Sequence, residues 1–189
     1  MKYLSLFFIL CLIHSSCVSQ ECYISDREKA VNQQMGYSAK MLSKKYNMRP
    51  CATSVAMPGG NIKYLELEFN IRGPLQQNII REILISSVHD FLNNINNDKE
   101  LCSYLKNGCM HISDVGITLF LHDTKGRSLY EPEIGIASVS NGKVEYIRSD
   151  PNEISIKGMK TTEESYEEAL SILKKKCPAV QKRCNDSGI

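Results

Sequence analysis

Residues 75–95 constrain the fold of this chain more than any other segment. Their apolar side chains recur every three or four positions, at Leu75, Ile79, Ile80, Ile83, Leu84, Val88, Phe91, Leu92 and Ile95. This 3.6-residue period predicts a long amphipathic helix that begins at Gly73-Pro74. Because each such side chain contributes about 1.5–3 kcal/mol when it is fully buried, the helix must lie against a sheet or other helices.

Segments with strand character precede and follow this helix. Leu65, Leu67, Phe69 and Ile71 alternate with polar residues, which predicts a half-buried strand over 62–71 that forms a hairpin with residues 52–57. A β-branched run predicts a strand over 115–122. Residues 134–140 and 143–148 flank Asn141-Gly142, the preferred type I′ turn, and therefore predict a second hairpin. Residues 153–157 are a candidate edge strand.

Capping signals predict helices at both ends of the domain. Ser25 and Glu28 form a capping-box pattern that opens a helix to about residue 47, which the Met48-Arg49-Pro50 turn stops. Residues 99–105 are expected to add one or two helical turns. Thr161-Thr162-Glu163-Glu164 is expected to cap a last helix. The sequence therefore predicts an α+β fold, with a mostly antiparallel sheet of about five to six strands, the long helix across one face, and flanking N- and C-terminal helices.

The N-terminal residues have the pattern of an export signal. Lys2 precedes an apolar run over 4–13, which is about half the length needed to span a bilayer, and Ser15-Ser16-Cys17 follows. Small residues before Cys17 resemble a bacterial lipobox, in which the cysteine is acylated and becomes the new N-terminus. His14 departs from the lipobox pattern, so cleavage by ordinary signal peptidase near Cys17 stays an alternative.

These signals divide the chain into a signal peptide (1–16), a tether (17–24), a single α+β domain (25–176) and a C-terminal tail (177–189). Acidic and basic residues are mixed along the chain and its formal net charge is only +2. No electrostatic field for a nucleic acid is therefore evident, and nucleic-acid binding is not expected.

Cysteines are numerous for an exported chain of this length. Of the eight, Cys11 falls in the signal and Cys17 is the lipidation candidate. The remaining six are candidates for a disulfide framework, although sequence alone leaves their connectivity open. Local pairing would join Cys102 with Cys109, Cys177 with Cys184, and Cys22 with Cys51. The alternative is that some of them are free buried thiols.

Candidate chemistry elsewhere is generic. Glu66 and Glu68 lie on the outward side of a predicted strand, where carboxylates can perform acid–base work but more often form a solvated surface. Cys102, Cys109 and His111 lack a close ligand pair such as Cys-x-x-Cys, so we expect no metal site. A thiol nucleophile would need His89, His111 or His122 as its base, and no spacing identifies such a pair. No cofactor motif is present.

Three segments carry a resemblance to known proteins. Tyr46-Asn47-Met48-Arg49-Pro50, Ala56-Met57-Pro58-Gly59-Gly60 and the alternation of Leu65, Leu67 and Phe69 resemble uncharacterised exported or lipid-anchored proteins of chlamydia-type intracellular bacteria. The resemblance rests on turn and core residues. It therefore implies a bacterial envelope context and no activity.

The sequence thus favours a non-enzymatic binding or structural protein that is exported, held at the membrane through Cys17, and bound to an unknown envelope or host protein. Two alternatives stay open, a soluble secreted enzyme of hydrolase type and a secreted effector.

Overall fold

The structure is a computed structural model that describes residues 24–153 and 156–176. In these residues the chain forms, in order, α1 (Asp26–Tyr46), β1 (Arg49–Ala56), β2 (Tyr64–Arg72), α2 (Gln77–Asn97), α3 (Lys99–Ser103), β3 (Val115–His122), β4 (Ile136–Ser140), β5 (Lys143–Ser149), β6 (Met159–Ser165) and α4 (Tyr166–Lys176). The predicted α+β class is confirmed, with a six-stranded sheet and a long central helix.

The strands lie in the sheet in sequence order, from β1 to β6. Short connections make most neighbours antiparallel, but β2 and β3 are parallel. The reason is α2, which carries the chain from the end of β2 back to the start of β3, as a parallel connection requires. Helix α1 packs against β1 and β2, α2 against β3 and β4, and α4 against β5 and β6.

One hydrophobic core fills the space between the helices and the sheet. On α2 the fully buried side chains include Ile80, Leu84, Val88, Phe91 and Ile95, as the 3.6-residue period predicts. On β2 and β3 every second side chain is buried and inward: Leu65, Leu67, Phe69, Ile71, Val115, Ile117, Leu119 and Leu121. The alternate side chains of these strands therefore point to the opposite face of the sheet.

The predicted end of α1 near residue 47 is confirmed, but the residues expected to stop α1 and the expected start of α2 need correction. Helix α1 ends because Asn47 adopts a left-handed conformation (φ 51°), and Arg49 and Pro50 already belong to strand β1. Helix α2 begins at Gln77, three residues after Pro74, with no side-chain cap. By contrast, the Ser25–Glu28 capping box is present, with Glu28 N–H donating to Ser25 Oγ at 3.2 Å and Ser25 N–H to Glu28 Oε2 at 2.8 Å.

The prediction for residues 153–165 was wrong. Residues 156–158 form a 3-10 turn, and the edge strand is β6, which starts later at Met159. Thr161 and Thr162 pair with Ile147 and Tyr146 of β5, so the threonines extend the sheet and do not cap a helix. This outcome follows from their β-branched side chains, which suit a strand better than a helix start.

Helix α4 is instead capped by Ser165. Its hydroxyl accepts from Glu168 N–H at 3.2 Å, and its own N–H donates to Glu168 Oε2 at 2.8 Å. These bonds lower the pKa of Glu168, so their stabilising effect is present above the ordinary carboxyl pKa and is lost as the pH falls below it.

Replacing Ser165 with alanine should therefore lower the free energy of unfolding by about 1 kcal/mol, because the first turn of α4 loses its cap. Thr161→Ala is the matched control and should cost less, since Thr161 is exposed and caps nothing. Urea titration of both variants measures the difference. A larger loss for Thr161→Ala would contradict the capping assignment.

No helix among the described residues is long and apolar enough to cross a membrane. The predicted signal peptide, Cys17, Cys22 and the C-terminal tail with Cys177 and Cys184 lie outside the described residues.

Candidate binding face

The face of the sheet opposite the helices carries the candidate functional surface, which we call the open face. Its side chains are half-buried where the inward ones are fully buried, as the burial of β2 illustrates: Leu65, Leu67 and Phe69 have no exposed surface, and Glu66, Glu68 and Asn70 are partly exposed. None of the described helices covers these outward positions. A sheet with one uncovered face presents a broad, rigid surface.

The strand register arranges the open face in two neighbouring rows. The first row is acidic and polar, and it runs across five strands through Glu68, Thr118, Ser138, Glu145 and Glu163. The second row begins at Asn70 and continues through three apolar residues, Phe120, Ile136 and Ile147. Because the two rows are two residues apart along each strand, they lie about 7 Å from each other.

The carboxylates of the acidic row differ in how far they are neutralised. Glu68 Oε1 accepts from Ser54 Oγ at 3.3 Å, and Thr118 Oγ1 donates at 2.7 Å to Glu66, which lies two residues before Glu68 on β2 and outside the row. Glu163 forms an exposed ion pair with Lys143 at 3.6 Å. Glu145, between them in the row, has no ion pair or side-chain hydrogen bond among the described residues. The row therefore keeps excess negative charge.

A tyrosine crosses the sheet beside these rows. Tyr64 extends from β2 over Gly116 of β3, and its hydroxyl lies 2.9 Å from Ser140 Oγ on β4. A Cβ atom at position 116 would lie 2.1 Å from Tyr64 Oη, so the absence of a side chain at Gly116 permits the crossing. Burial raises the pKa of Tyr64, which keeps the phenol protonated and available as a donor.

Gly116→Ala should expel the Tyr64 ring from this position and lose the bond to Ser140, at a cost of about 1 kcal/mol in unfolding free energy. A double-mutant cycle with Tyr64→Ala measures the coupling, because an alanine at 116 has no ring to displace in that background. Equal losses from Gly116→Ala in both backgrounds would show that the ring does not cause the effect.

The cysteines of the described residues do not form a catalytic or disulfide site in this structure. Cys51, Cys102 and Cys109 are free thiols. Cys102 Sγ donates to the carbonyls of Ile95 and Asn96 at 3.6 and 3.5 Å. Its pKa is raised by burial, then by Asp98 and by neighbouring Cys109. The Cys102–Cys109 pairing stays a prediction, as do the two pairings with partners outside the described residues.

Burial also raises the pKa of Cys51, on the exposed strand β1, and Glu68 raises it further. A raised thiol pKa disfavours the reactive thiolate. Of the candidate bases, His122 Nε2 lies 2.6 Å from Asn70 Oδ1, and His89 Nδ1 lies 3.2 Å from Asn93 Nδ2. Burial lowers the pKa of His89. His111 is exposed and its backbone N–H donates to Asp114 at 2.9 Å. No thiol is activated by the observed contacts.

Within residues 24–153 and 156–176, no three histidine, cysteine, aspartate or glutamate side chains are close enough together to hold a metal ion. Comparison with known proteins found no match to a family model, to a curated protein or to a solved structure.

The sequence identified only part of the open face. Glu66 and Glu68 were expected to point outward, and they do. Phe120, Ile136, Ile147 and Glu145 were not singled out, and Glu163 was assigned to a helix cap. Alternation within each strand could have assigned their face, but their alignment in rows depends on inter-strand register, for which one sequence carries no direct signal.

Proposed function

We propose that this chain is a non-enzymatic binding protein, exported and held at a bacterial envelope membrane through Cys17, that binds a partner protein on its open face. The observation that supports the binding role is the uncovered face itself, with an apolar row beside an acidic row. The export signal and the resemblance noted above support the location.

The chemistry of the rows specifies the kind of partner. Phe120, Ile136 and Ile147 would bury apolar side chains of the partner, since a hydrophobic centre with a polar rim is typical of protein interfaces. Glu145 and its neighbours would attract lysine or arginine side chains. The partner is therefore a protein with a basic surface around an apolar anchor. With six strands spaced about 4.8 Å apart, the sheet is about 24 Å wide, a width comparable to a standard interface.

Site-specific photocrosslinking in cells of the native source tests this proposal. A photoreactive phenylalanine analogue at Phe120 should capture a defined partner, and the same analogue at Tyr37 on exposed α1 should not. Glu145→Lys should abolish capture from position 120, because it reverses charge in the acidic row. Glu82→Lys, at an exposed position of α2, is the matched control and should leave capture unchanged.

Equal capture from positions 120 and 37, or capture that survives Glu145→Lys, would contradict the proposal. Intact-mass analysis of the native protein tests the tether independently. A mass that begins at Cys17 with acyl chains is the expected result. A mass that begins near Gln20 without lipid would favour the soluble secreted enzyme or effector instead.

A further inference from the structure

A cleft of about 660 Å³ lies at one end of the sheet and begins at Asn70, the first residue of the second row of the open face. The polar residues that line it include Ser43, Asn47, Arg49, Asn70, Arg72 and His122, which we call the basic cleft. Arg72 and His122 are the last residues of the parallel strands β2 and β3. The carboxyl ends of parallel strands are a preferred place for ligands in α/β proteins.

Strand register brings the two arginines to the same side of the sheet. Arg49 pairs with Asn70 of β2, and Arg72 lies two residues further along β2, on the same side of the sheet. Arg49 and Arg72 are therefore diagonal neighbours, at a Cα separation of about 7–8 Å. Their flexible side chains are long enough to reach one ligand between them.

Neither arginine is neutralised by the described residues. Both side chains are exposed, and neither forms an ion pair or a side-chain hydrogen bond with the described residues. Two unpaired guanidinium groups on neighbouring residues repel each other when they approach, and a shared anion would relieve that repulsion.

The nearby negative groups have other partners. Asp123, which also lines the cleft, accepts from Arg127 at 2.7 and 2.8 Å and from two backbone N–H groups. These bonds lower the pKa of Asp123. The carbonyl of Ser43, at the end of α1, accepts from the N–H groups of Asn47 and Met48. The basic cleft therefore keeps positive charge.

His122, which also lines the cleft, is held in place by Asn70. Its Nε2 lies 2.6 Å from Asn70 Oδ1, but its Nδ1 is buried with no hydrogen-bond partner among the described residues. With Nε2 donating to the amide oxygen, Nδ1 of a neutral ring is an acceptor, so this atom is not a ligand for an anion.

We propose that the basic cleft binds a phosphate group, with Arg49 and Arg72 as its two cationic ligands. A phosphate monoester carries about −1.5 to −2 charges and three strong acceptor oxygens, which match two guanidinium groups better than the single charge of a carboxylate does. The hydroxyl of Ser43 and the amide of Asn47 are further donors at the cleft.

Calorimetric titration of the full chain with inorganic phosphate at constant ionic strength tests this site. Saturable binding should be about tenfold weaker in Arg49→Gln and in Arg72→Gln, since each loses one charged hydrogen-bonding group. Lys40→Gln, at an exposed position of α1 outside the cleft, removes the same charge and should leave the affinity unchanged. Acetate should bind more weakly than phosphate.

The source of the phosphate group is tested with vesicles that contain phosphatidate, a lipid with a phosphomonoester headgroup. Weaker vesicle binding by both arginine variants would assign the site to a lipid headgroup, and binding of soluble phosphate alone would assign it to a small molecule. The proposal would be overturned if the protein bound neither inorganic phosphate nor phosphatidate vesicles. It would also be overturned if Lys40→Gln lost as much affinity as the arginine variants. Circular dichroism verifies that each variant is folded. The proposed partner binding at Phe120 and Glu145 does not depend on this result.

Discussion

Phe69→Ala should lower the free energy of unfolding by about 3–5 kcal/mol, whereas Phe120→Ala should lower it by about 1 kcal/mol. The two phenylalanines lie on adjacent parallel strands, and Phe120 pairs with Asn70, the residue after Phe69. Phe69 points into the core and has no exposed surface, so its removal leaves a cavity among packed side chains. Phe120 points to the open face and is only half-buried, so water fills its place.

Guanidinium chloride titration of both variants measures this difference, and the photocrosslinking experiment supplies the complementary measurement. Phe120→Ala should keep most of its stability and lose partner binding, because the apolar row loses its largest side chain. Equal loss of stability in the two variants would mean that both faces of the sheet are covered, which would contradict the open face.

Arg81→Met should lower the free energy of unfolding by about 3 kcal/mol, because it leaves the carboxylate of Glu164 without its ion-pair partner in a largely buried site. Arg81 Nε donates to Glu164 Oε1 at 2.7 Å, and the two side chains are only 11% and 14% exposed. Tyr146 completes the cluster: its hydroxyl donates to the same oxygen, and the guanidinium lies 5.9 Å from the centre of its ring.

Adding Glu164→Gln to Arg81→Met should restore part of the loss, since the uncompensated charge is then gone. The exposed pair of Lys143 on β5 and Glu163 on β6 is the matched control. Lys143→Met should change stability by at most about 0.5 kcal/mol. A double variant less stable than Arg81→Met would contradict the account.

The same cluster predicts a dependence on pH. Burial, and next the bond to Glu164, raise the pKa of Tyr146 above its ordinary value. The folded state therefore holds the phenolic proton more tightly than the unfolded state. The resulting stability is present below a pH of about 10 and declines as the pH rises above it. Tyr146→Phe should weaken this decline in thermal unfolding measured across that range.

Glu164 also protects an edge of the sheet. Strand β6 has a neighbour only on one side, and an inward charge on such a strand discourages pairing with another molecule, because the charge would lose its partner. Strand β1, at the other edge, has Pro50 and a bulge between Pro50 and Ala52. Proline and bulges serve the same protective purpose.

Local patterns were sufficient for several elements. The predicted strand 115–122 coincides with β3, and Asn141 and Gly142 adopt the positive φ angles of 51° and 73° that a type I′ turn requires. The apolar period of residues 75–95 identified α2 as the central helix. In each case the determining interactions lie within a few residues of one another, so a short segment contains the information.

The candidate sites could not be predicted from such local patterns. Arg49 and Arg72 are far apart in the chain and become neighbours only because a bulge and an antiparallel register place them so. The rows of the open face need five strands in one register, and the parallel pairing of β2 with β3 depends on how α2 crosses the sheet.

The amino-acid sequence by itself determined most of the helices and strands, although not β6, and which side of α2 and of β2 is buried, because periodicity and turn residues act locally. Only the tertiary structure decided that Glu145 lies beside Ser138, that Arg81 reaches Glu164, and that two arginines share one cleft. The physical reason is that inter-strand register and helix packing minimise the free energy of the whole core, to which residues distant in sequence contribute together.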